Sequence, residues 1–392
     1  MSKSLLFIPG PVTVAESVLA AGAQPMIDHR GPEFKALLAR ISGKMMPIFG
    51  TTTAEVLILG SSGTGGLEAA VGNLFGPGDR VLACPIGVFG QRLIALARNF
   101  GCDVEVLETP WGSAVDPAAL RARLSAAADK EHRFDGVLLT HNETSTGAQN
   151  DMAALAEAVR GHGAYTVVDS VSGLAASPFA MDAWGFDVVV GASQKALAAP
   201  PGLAMVAVAP RVWERIDANV GAQRFYFDLR KAREFASLGQ TPWTPPVSIT
   251  FALDAALEEF ERTGPAAVHE RHARYARAIR AAARALGLEL YSQDGAHSPT
   301  VVAVKLPPGI DGDAIRKSLR ESRGVVIGGG QKELKGKIVR IGTMGDLTQT
   351  DVLGALGALE IALLEAGAPV HAGTGIQAAL KVFLEAEQPA AV

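Results

Sequence analysis

Three stretches of this sequence hold residues that could act together on a substrate. In GASQKALAAPPG (191–202), Lys195 stands between two apolar runs. An amine in an apolar strand-end loop is poorly solvated, which favours its neutral, nucleophilic form. Taken alone, the lesser alternative is a snorkelling surface lysine. Asp169 closes the apolar run YTVVD. A carboxylate there is costly unless it meets a cation or several donors, and by itself it could simply cap the segment that follows. SSGTGG (61–66) lies between an apolar run and a helical period. Such a turn aims backbone N–H groups and a helix N-terminus at whatever sits above the strand end, which suits a phosphate as well as a plain strand-to-helix turn. Two nucleotide patterns fail at this turn. No Gly-Lys-Ser/Thr ending follows it, and Glu68 occupies the position where a dinucleotide fold needs a small residue.

Jointly, a phosphate cradle, a strand-end carboxylate and a desolvated lysine are what pyridoxal 5'-phosphate requires. The cradle holds the phosphate, the carboxylate keeps the pyridine nitrogen protonated, and the lysine forms a Schiff base.

Elements that could hold these residues in place recur along the chain. From residue 54, short apolar runs alternate with helical periods: AEVLILG (54–60), RVLACP (80–85), DVEVLETP, DGVLLTH, YTVVDS, DVVVGAS and LAMVAVAP (203–210). Continuous apolar runs separated by amphipathic helices predict an α/β fold with a mostly parallel sheet covered on both faces. After residue 212 the texture changes. A loop-rich aromatic stretch (221–247) leads into two long helical periods, then LELYS, TVVAVKLP, a helix from Asp313, VVIGGG, KIVRIGTMG and a closing helix at 349–366. The reading is a large domain over 16–254, with 1–15 and 255–392 forming a smaller α/β domain.

A chain of 392 residues with 48% apolar and 19% charged side chains can bury large cores, which excludes global disorder. With 36 basic against 40 acidic residues and no basic block interleaved with aromatics, nucleic acid is not an expected partner. The two cysteines, Cys84 and Cys102, make no disulfide scaffold and fit a cytoplasmic setting, filling space near strand ends. The opening MSKSLLFIPGPV is broken by Pro9, Gly10 and Pro11, too early for a signal peptide. The apolar stretch 186–210 contains Asp187, Lys195 and adjacent prolines, so it is not expected to span a membrane.

The runs FIPGPV, DHRGPEF, SSGTGG, GDRVL, HNETSTG, VVDSVSGL, GASQKALAAPPG and LKGKIVRIG resemble the class V aminotransferases of fold type I, in the serine–glyoxylate and alanine–glyoxylate branch. The likeness covers nearly the whole chain, and the run from VVDSVSGL through SQKALAAPPG is its most specific part. It implies a seven-stranded, mostly parallel sheet in the large domain. It also implies Lys195 as the Schiff-base lysine with Gln194 beside it on the phosphate, and Ser62, Gly63 and Thr64 as the phosphate cradle. Phe89 would stack on the pyridine ring, Thr144 would face the ring hydroxyl, Asp169 would pair with the pyridinium nitrogen, and Val171 would pack on the ring. Arg340 would clamp the substrate carboxylate through its planar fork, and Gly10 and Pro11 would line the substrate pocket. The resemblance further implies a homodimer in which Thr244, in TPWTPP, reaches the neighbouring subunit's phosphate. Thr241 stands where alanine–glyoxylate relatives have tyrosine, a departure in that contact.

The expected activity is therefore transfer of an amino group from serine or alanine to glyoxylate or pyruvate, by a ping-pong route. An aspartate donor is the rival substrate. It would need a second cationic clamp, for which Arg30 and Arg224 are candidates that more readily make structural pairs. A desulfurase would need a cysteine on a mobile loop, and none follows Cys102. Similar sequences have been described as subunits of soluble hydrogenases, so a non-catalytic partner is the rival of a different class, opposed by the presence of Lys195, Asp169 and Arg340 together. Metal chemistry is not expected. His269 and His272 read as a solvated helix face, while His29 and His141 are isolated, His141 close enough to NETSTG to approach the cofactor.

Overall fold

The apolar runs form strands and the amphipathic periods form helices in the computed structural model, which describes residues 4–127, 133–219 and 224–385. In chain order the strands are β1 (Leu5–Phe7), β2 (Glu55–Gly60), β3 (Arg80–Cys84), β4 (Asp103–Val106), β5 (Gly136–Thr140), β6 (Asn142–Glu143), β7 (Ala148–Gln149), β8 (Tyr165–Asp169), β9 (Val188–Ala192), β10 (Leu203–Val208), β11 (Val301–Lys305), β12 (Val325–Gly329) and β13 (Ile338–Gly342). Seven of them form one sheet in the order β2-β10-β9-β8-β5-β3-β4. Neighbours are parallel except at β10, which runs antiparallel to both β2 and β9. This is the α/β, fold type I architecture that the sequence implied.

Side chains of these strands alternate between two cores, as the pleat demands. Leu82, Val137, Leu139, Val168 and Val189 face one core, shared with the helix Pro32–Phe49. Val81, Leu138, Val167 and Val190 face the other, shared with the helices Gly63–Leu74 and Val88–Asn99. Burial on both faces is why the runs are continuously apolar rather than alternating.

A second sheet, β1-β12-β13-β11, carries the smaller domain. Its first strand comes from the N-terminus, with Leu5 opposite Val325 in a parallel pair. The segment from Pro9 to Pro11 therefore leaves the small sheet directly toward the large one. Packing changes over within the helix Pro265–Ala285. Leu253, Leu257 and Phe260 of the preceding helix, Val247–Thr263, and then Val268 pack into the first core, whereas Tyr275 and Ile279 pack into the second. Val247–Thr263 is one continuous helix that packs on the first core along its length.

Three local expectations need correction. LELYS forms no strand. Leu290 bridges Val304 in isolation, and the Gln293 N–H then turns to the Gly112 carbonyl at 2.8 Å, which ends any ladder. His272 is not on a solvated face. It is fully buried one turn from Val268 and Tyr275, with Nδ1 2.8 Å from the Val268 carbonyl oxygen, because the helix places that stripe inward. A further helix, Thr374–Glu385, follows the expected last one and sets Phe383 edge-on against Tyr275, with ring centroids 6.0 Å apart. No helix among the described residues is long and apolar enough to cross a membrane.

Candidate active site

The cleft lies at the carboxyl ends of the parallel strands, where an α/β sheet leaves room between its loops. Ser62 precedes the helix Gly63–Leu74 in an extended conformation. The Gly65 and Gly66 N–H groups return to the Ser62 carbonyl at 2.9 and 3.2 Å, which leaves the N–H groups of Gly63 and Thr64 at the open end of the helix. Gly66 explains the closeness of that helix to the sheet: a Cβ there would stand 2.8 Å from Val190 and 2.9 Å from Ala204.

Asp169 ends β8 opposite Thr140 of β5. It is only 4% exposed and accepts a hydrogen bond from the Val171 N–H at 3.0 Å. Burial pushes its pKa up to about 6, against the opposing pull of that N–H. Val171, Thr144 and Phe89 line the same cleft. Phe89 owes its placement to Glu143. This buried carboxylate accepts from the Phe89 and Gly90 N–H groups at 2.9 and 3.1 Å and from the Ser145 hydroxyl at 2.6 Å, closing the start of the helix Val88–Asn99.

Lys195 enters from the loop between β9 and β10, with Gln194 beside it in the cleft wall. Its Nζ donates to the Pro9 carbonyl at 2.5 Å. Burial draws the amine's pKa down to about 8; Asp169 opposes the shift, and Arg340 and Arg92 add to it. Arg340, on β13, reaches across from the small domain. Its Nε donates to the Gly329 carbonyl at 2.7 Å and its Nη1 to the Thr144 carbonyl at 2.8 Å. It therefore stands behind the wall that Thr144 forms. Gly10 packs on the Lys195 side chain and Pro11 follows it at the surface.

The cleft also holds residues that the sequence did not single out: Arg92, Asn142 and Ser172. Arg92 Nη1 donates to Thr64 Oγ1 at 2.9 Å, and its guanidinium lies 4.7 Å from the Phe89 ring centroid. The signal for it was the three-residue spacing from Phe89, which puts both on one helix face. The Asn142 amide donates to the Ser172 and Thr300 hydroxyls, both at 2.9 Å, so it ties the cleft wall to a small-domain loop. No spacing rule reveals a contact between residues so far apart in the chain.

Other expected residues lie elsewhere. Thr244 sits in a separate surface hollow with Leu38, Tyr226 and Trp243. Arg30 donates to the Gln240 side chain at 2.8 Å and the Thr241 carbonyl at 2.7 Å, and Arg224 to the Asn219 carbonyl at 2.8 Å. Neither arginine lines the cleft. His141 is buried behind the cleft, 2.8 Å from the Ser170 hydroxyl and 2.9 Å from Gln149, and does not line it. Cys84 and Cys102 are buried, and burial raises their thiols to about 12 and about 11, which disfavours the thiolate.

This donor set fits pyridoxal 5'-phosphate. Asp169, Arg92 and Arg340 form no ion pair among the described residues. An anionic phosphate, a protonated ring nitrogen and an aldehyde answer the open N–H groups of the cradle, Asp169 and Lys195 respectively. Fold and site together define a pyridoxal-phosphate-dependent aminotransferase, and residues 16–352 match the family described as aminotransferase class-V, to which the chain belongs. The chain is 40% identical over 97% of its length to a protein named soluble hydrogenase, small subunit, from Synechococcus, covering 98% of that protein. It is 37% identical to L-aspartate–glyoxylate aminotransferase of Paracoccus denitrificans (96% of each chain) and 33% identical to serine–glyoxylate aminotransferase of Methylorubrum extorquens (98% of this chain, 96% of that one). Among solved structures, ureidoglycine–glyoxylate aminotransferase from Bacillus subtilis superposes with a TM-score of 0.92 at 30% identity, over 98% of this chain and 99% of the other.

Proposed function

We propose that this aminotransferase moves the amino group of serine or alanine to glyoxylate or pyruvate, in two half-reactions with one product leaving before the second substrate binds. One observation carries the reading: a half-buried amine, Lys195, and a buried carboxylate, Asp169, line one cleft, and Arg340 backs its wall. Bound pyridoxal phosphate supplies a carbonyl that condenses with amines and a ring that withdraws electrons from the amino acid's Cα. The chain does the rest. Ser62, Gly63, Thr64 and Gln194 would hold the phosphate, Phe89 and Val171 would enclose the ring, and Thr144 would face its hydroxyl. Asp169 keeps the ring nitrogen protonated. Arg340 fixes the donor's carboxylate, with Gly10 and Pro11 at the edge of that pocket. Lys195 would hold the cofactor's aldehyde and, once its amine is free, would take the Cα proton as general base.

A small donor is favoured because Arg30 and Arg224, the candidates for a second carboxylate clamp, are engaged elsewhere. The names of the relatives supply both serine and aspartate as donors, so the choice is tested directly. We assign the hollow around Thr244, with Phe225 67% exposed and stacked on Trp243 at 4.7 Å, to the contact with a second copy, where Thr244 serves the neighbouring phosphate.

The test is an absorption spectrum of the purified protein before and after mixing with L-serine, L-alanine or L-aspartate. A visible band that is absent in Lys195→Ala, and that serine or alanine bleaches to the pyridoxamine form, is the expected result. Bleaching by aspartate alone would overturn the donor assignment. A colourless protein that gains no band with added cofactor would leave a non-catalytic subunit as the reading.

A further inference from the structure

Arg92 is the cation in this cleft for which the proposed function has no task. It rises from the first turns of the helix Val88–Asn99, three residues after Phe89, so both side chains leave the same face. The guanidinium is held at two points. Nη1 donates to Thr64 Oγ1 at 2.9 Å, and the group lies over the Phe89 ring at 4.7 Å from the centroid. Stacking on an aromatic face fixes a guanidinium plane while leaving its edge N–H groups free to bind.

The surroundings define what that edge can bind. Thr64 belongs to the turn whose open N–H groups face the cleft, so Arg92 stands beside the anion cradle rather than beside Arg340. No carboxylate among the described residues pairs with it. Arg92 and Lys195 repel each other while Asp169 attracts both, and a further anion beside Arg92 relieves the repulsion that remains. Arginine presents paired N–H groups that match a phosphate's oxygens, and it does so most strongly where water is excluded.

We propose that Arg92 is a direct ligand of the cofactor's phosphate, closing the cradle formed by Ser62, Gly63 and Thr64 from the side of the Phe89 helix. Arg92 thus belongs to cofactor retention and not to the recognition of a donor's second carboxylate. The inference rests on the pyridoxal-phosphate reading given above.

The experiment compares two probes on the purified apoprotein, pyridoxal 5'-phosphate and pyridoxal, which lacks the phosphate. Binding is followed by the appearance of the visible band and by quenching of tryptophan fluorescence. Arg92→Gln removes the charge and keeps a hydrogen-bonding amide; Arg92→Lys keeps the charge and loses the fork. Expected is an about 10- to 100-fold loss of pyridoxal-phosphate affinity in Arg92→Gln, the range of one charge-assisted hydrogen bond, with partial recovery in Arg92→Lys. Pyridoxal affinity should stay within about 2-fold of wild type, which also shows that the variant folds. Equal loss for both probes would show a merely structural role and overturn the proposal. Unchanged cofactor affinity with a raised KM confined to aspartate would overturn it in favour of a substrate clamp. A wild-type protein that binds neither probe would overturn the underlying reading and this inference with it, whereas wild-type binding with no difference in the variants would overturn this inference alone.

Discussion

Gly10 and Lys195 meet so closely that a Cβ on Gly10 would stand 2.6 Å from the lysine's Nζ. The backbone at Gly10 also has a φ of +125°, a conformation that side-chain-bearing residues rarely adopt. The glycine in GPV is thus a steric condition for the position of the amine, imposed by the small domain on a residue of the large one.

Gly10→Ala is expected to displace the amine without unfolding the protein. A shift of about 1 Å in a reacting group can cost on the order of 100-fold in rate. We expect kcat to fall by about that factor, with the circular dichroism spectrum retained and the thermal midpoint lowered only by the strain of a side chain at that φ. A variant with wild-type kcat would show that the loop yields easily and that the contact has no role in catalysis.

Lys195 should react as an amine at a pH far below that of an ordinary lysine. Its pKa is drawn down to about 8, chiefly by burial, and only the neutral amine attacks a carbonyl. The rate at which apoprotein captures pyridoxal phosphate should therefore rise with pH and level off above about 8. A midpoint near the ordinary value, about 10.4, would show that the amine is solvated.

Much of this was legible in the sequence, and the reasons differ by residue. Lys195 and Asp169 were visible because a charged side chain ending or interrupting a continuous apolar run has few explanations. The seven strands were visible because burial on both faces leaves unbroken runs such as Val188–Val190 and Leu203–Val208. Ser62, Gly63 and Thr64 were weak alone and gained meaning only beside the other two features. Phe89, Thr144, Val171 and Arg340 came from resemblance, since no local pattern marks them. Glu143 and Asn142 escaped notice because their importance is in contacts to Phe89 and Thr300, which the chain makes only after folding. His272 was misplaced because charged neighbours at 270 and 271 hid a buried stripe with Val268 and Tyr275.

Arg340→Lys separates charge from geometry. Lysine keeps the positive charge but not the parallel donors, and Arg340 also donates to Gly329 and Thr144 carbonyls that lysine cannot reach together. We expect kcat/KM for the preferred donor to fall by about 10- to 100-fold, as for loss of a bond to a charged group. The visible band of the bound cofactor should remain. Loss of the band along with activity would assign Arg340 to the cofactor site instead.

Asp169→Asn should have opposite effects on the apoprotein and on the loaded enzyme. Burial raises the Asp169 pKa from 3.8 to about 6. The folded apoprotein therefore binds more protons than the unfolded chain between those values, and its stability falls as pH rises through that window. The cost is present in full above about 6 and amounts to roughly 2–3 kcal/mol at neutral pH. Asparagine removes the charge and with it the cost, so apo Asp169→Asn should melt higher than apo wild type at pH 7.5 and equal to it near pH 3.5. In the loaded enzyme, as proposed, the same carboxylate would face a protonated ring nitrogen, and removing one partner of a buried pair costs about 3–5 kcal/mol. Cofactor should then stabilise wild type much more than the variant, and kcat should drop at least 100-fold. Melting curves at two pH values, with and without pyridoxal phosphate, check both halves. A variant that is less stable in the apo form at neutral pH would mean that the Asp169 charge is already compensated by the fold, and the case for a cationic ring beside it would weaken accordingly.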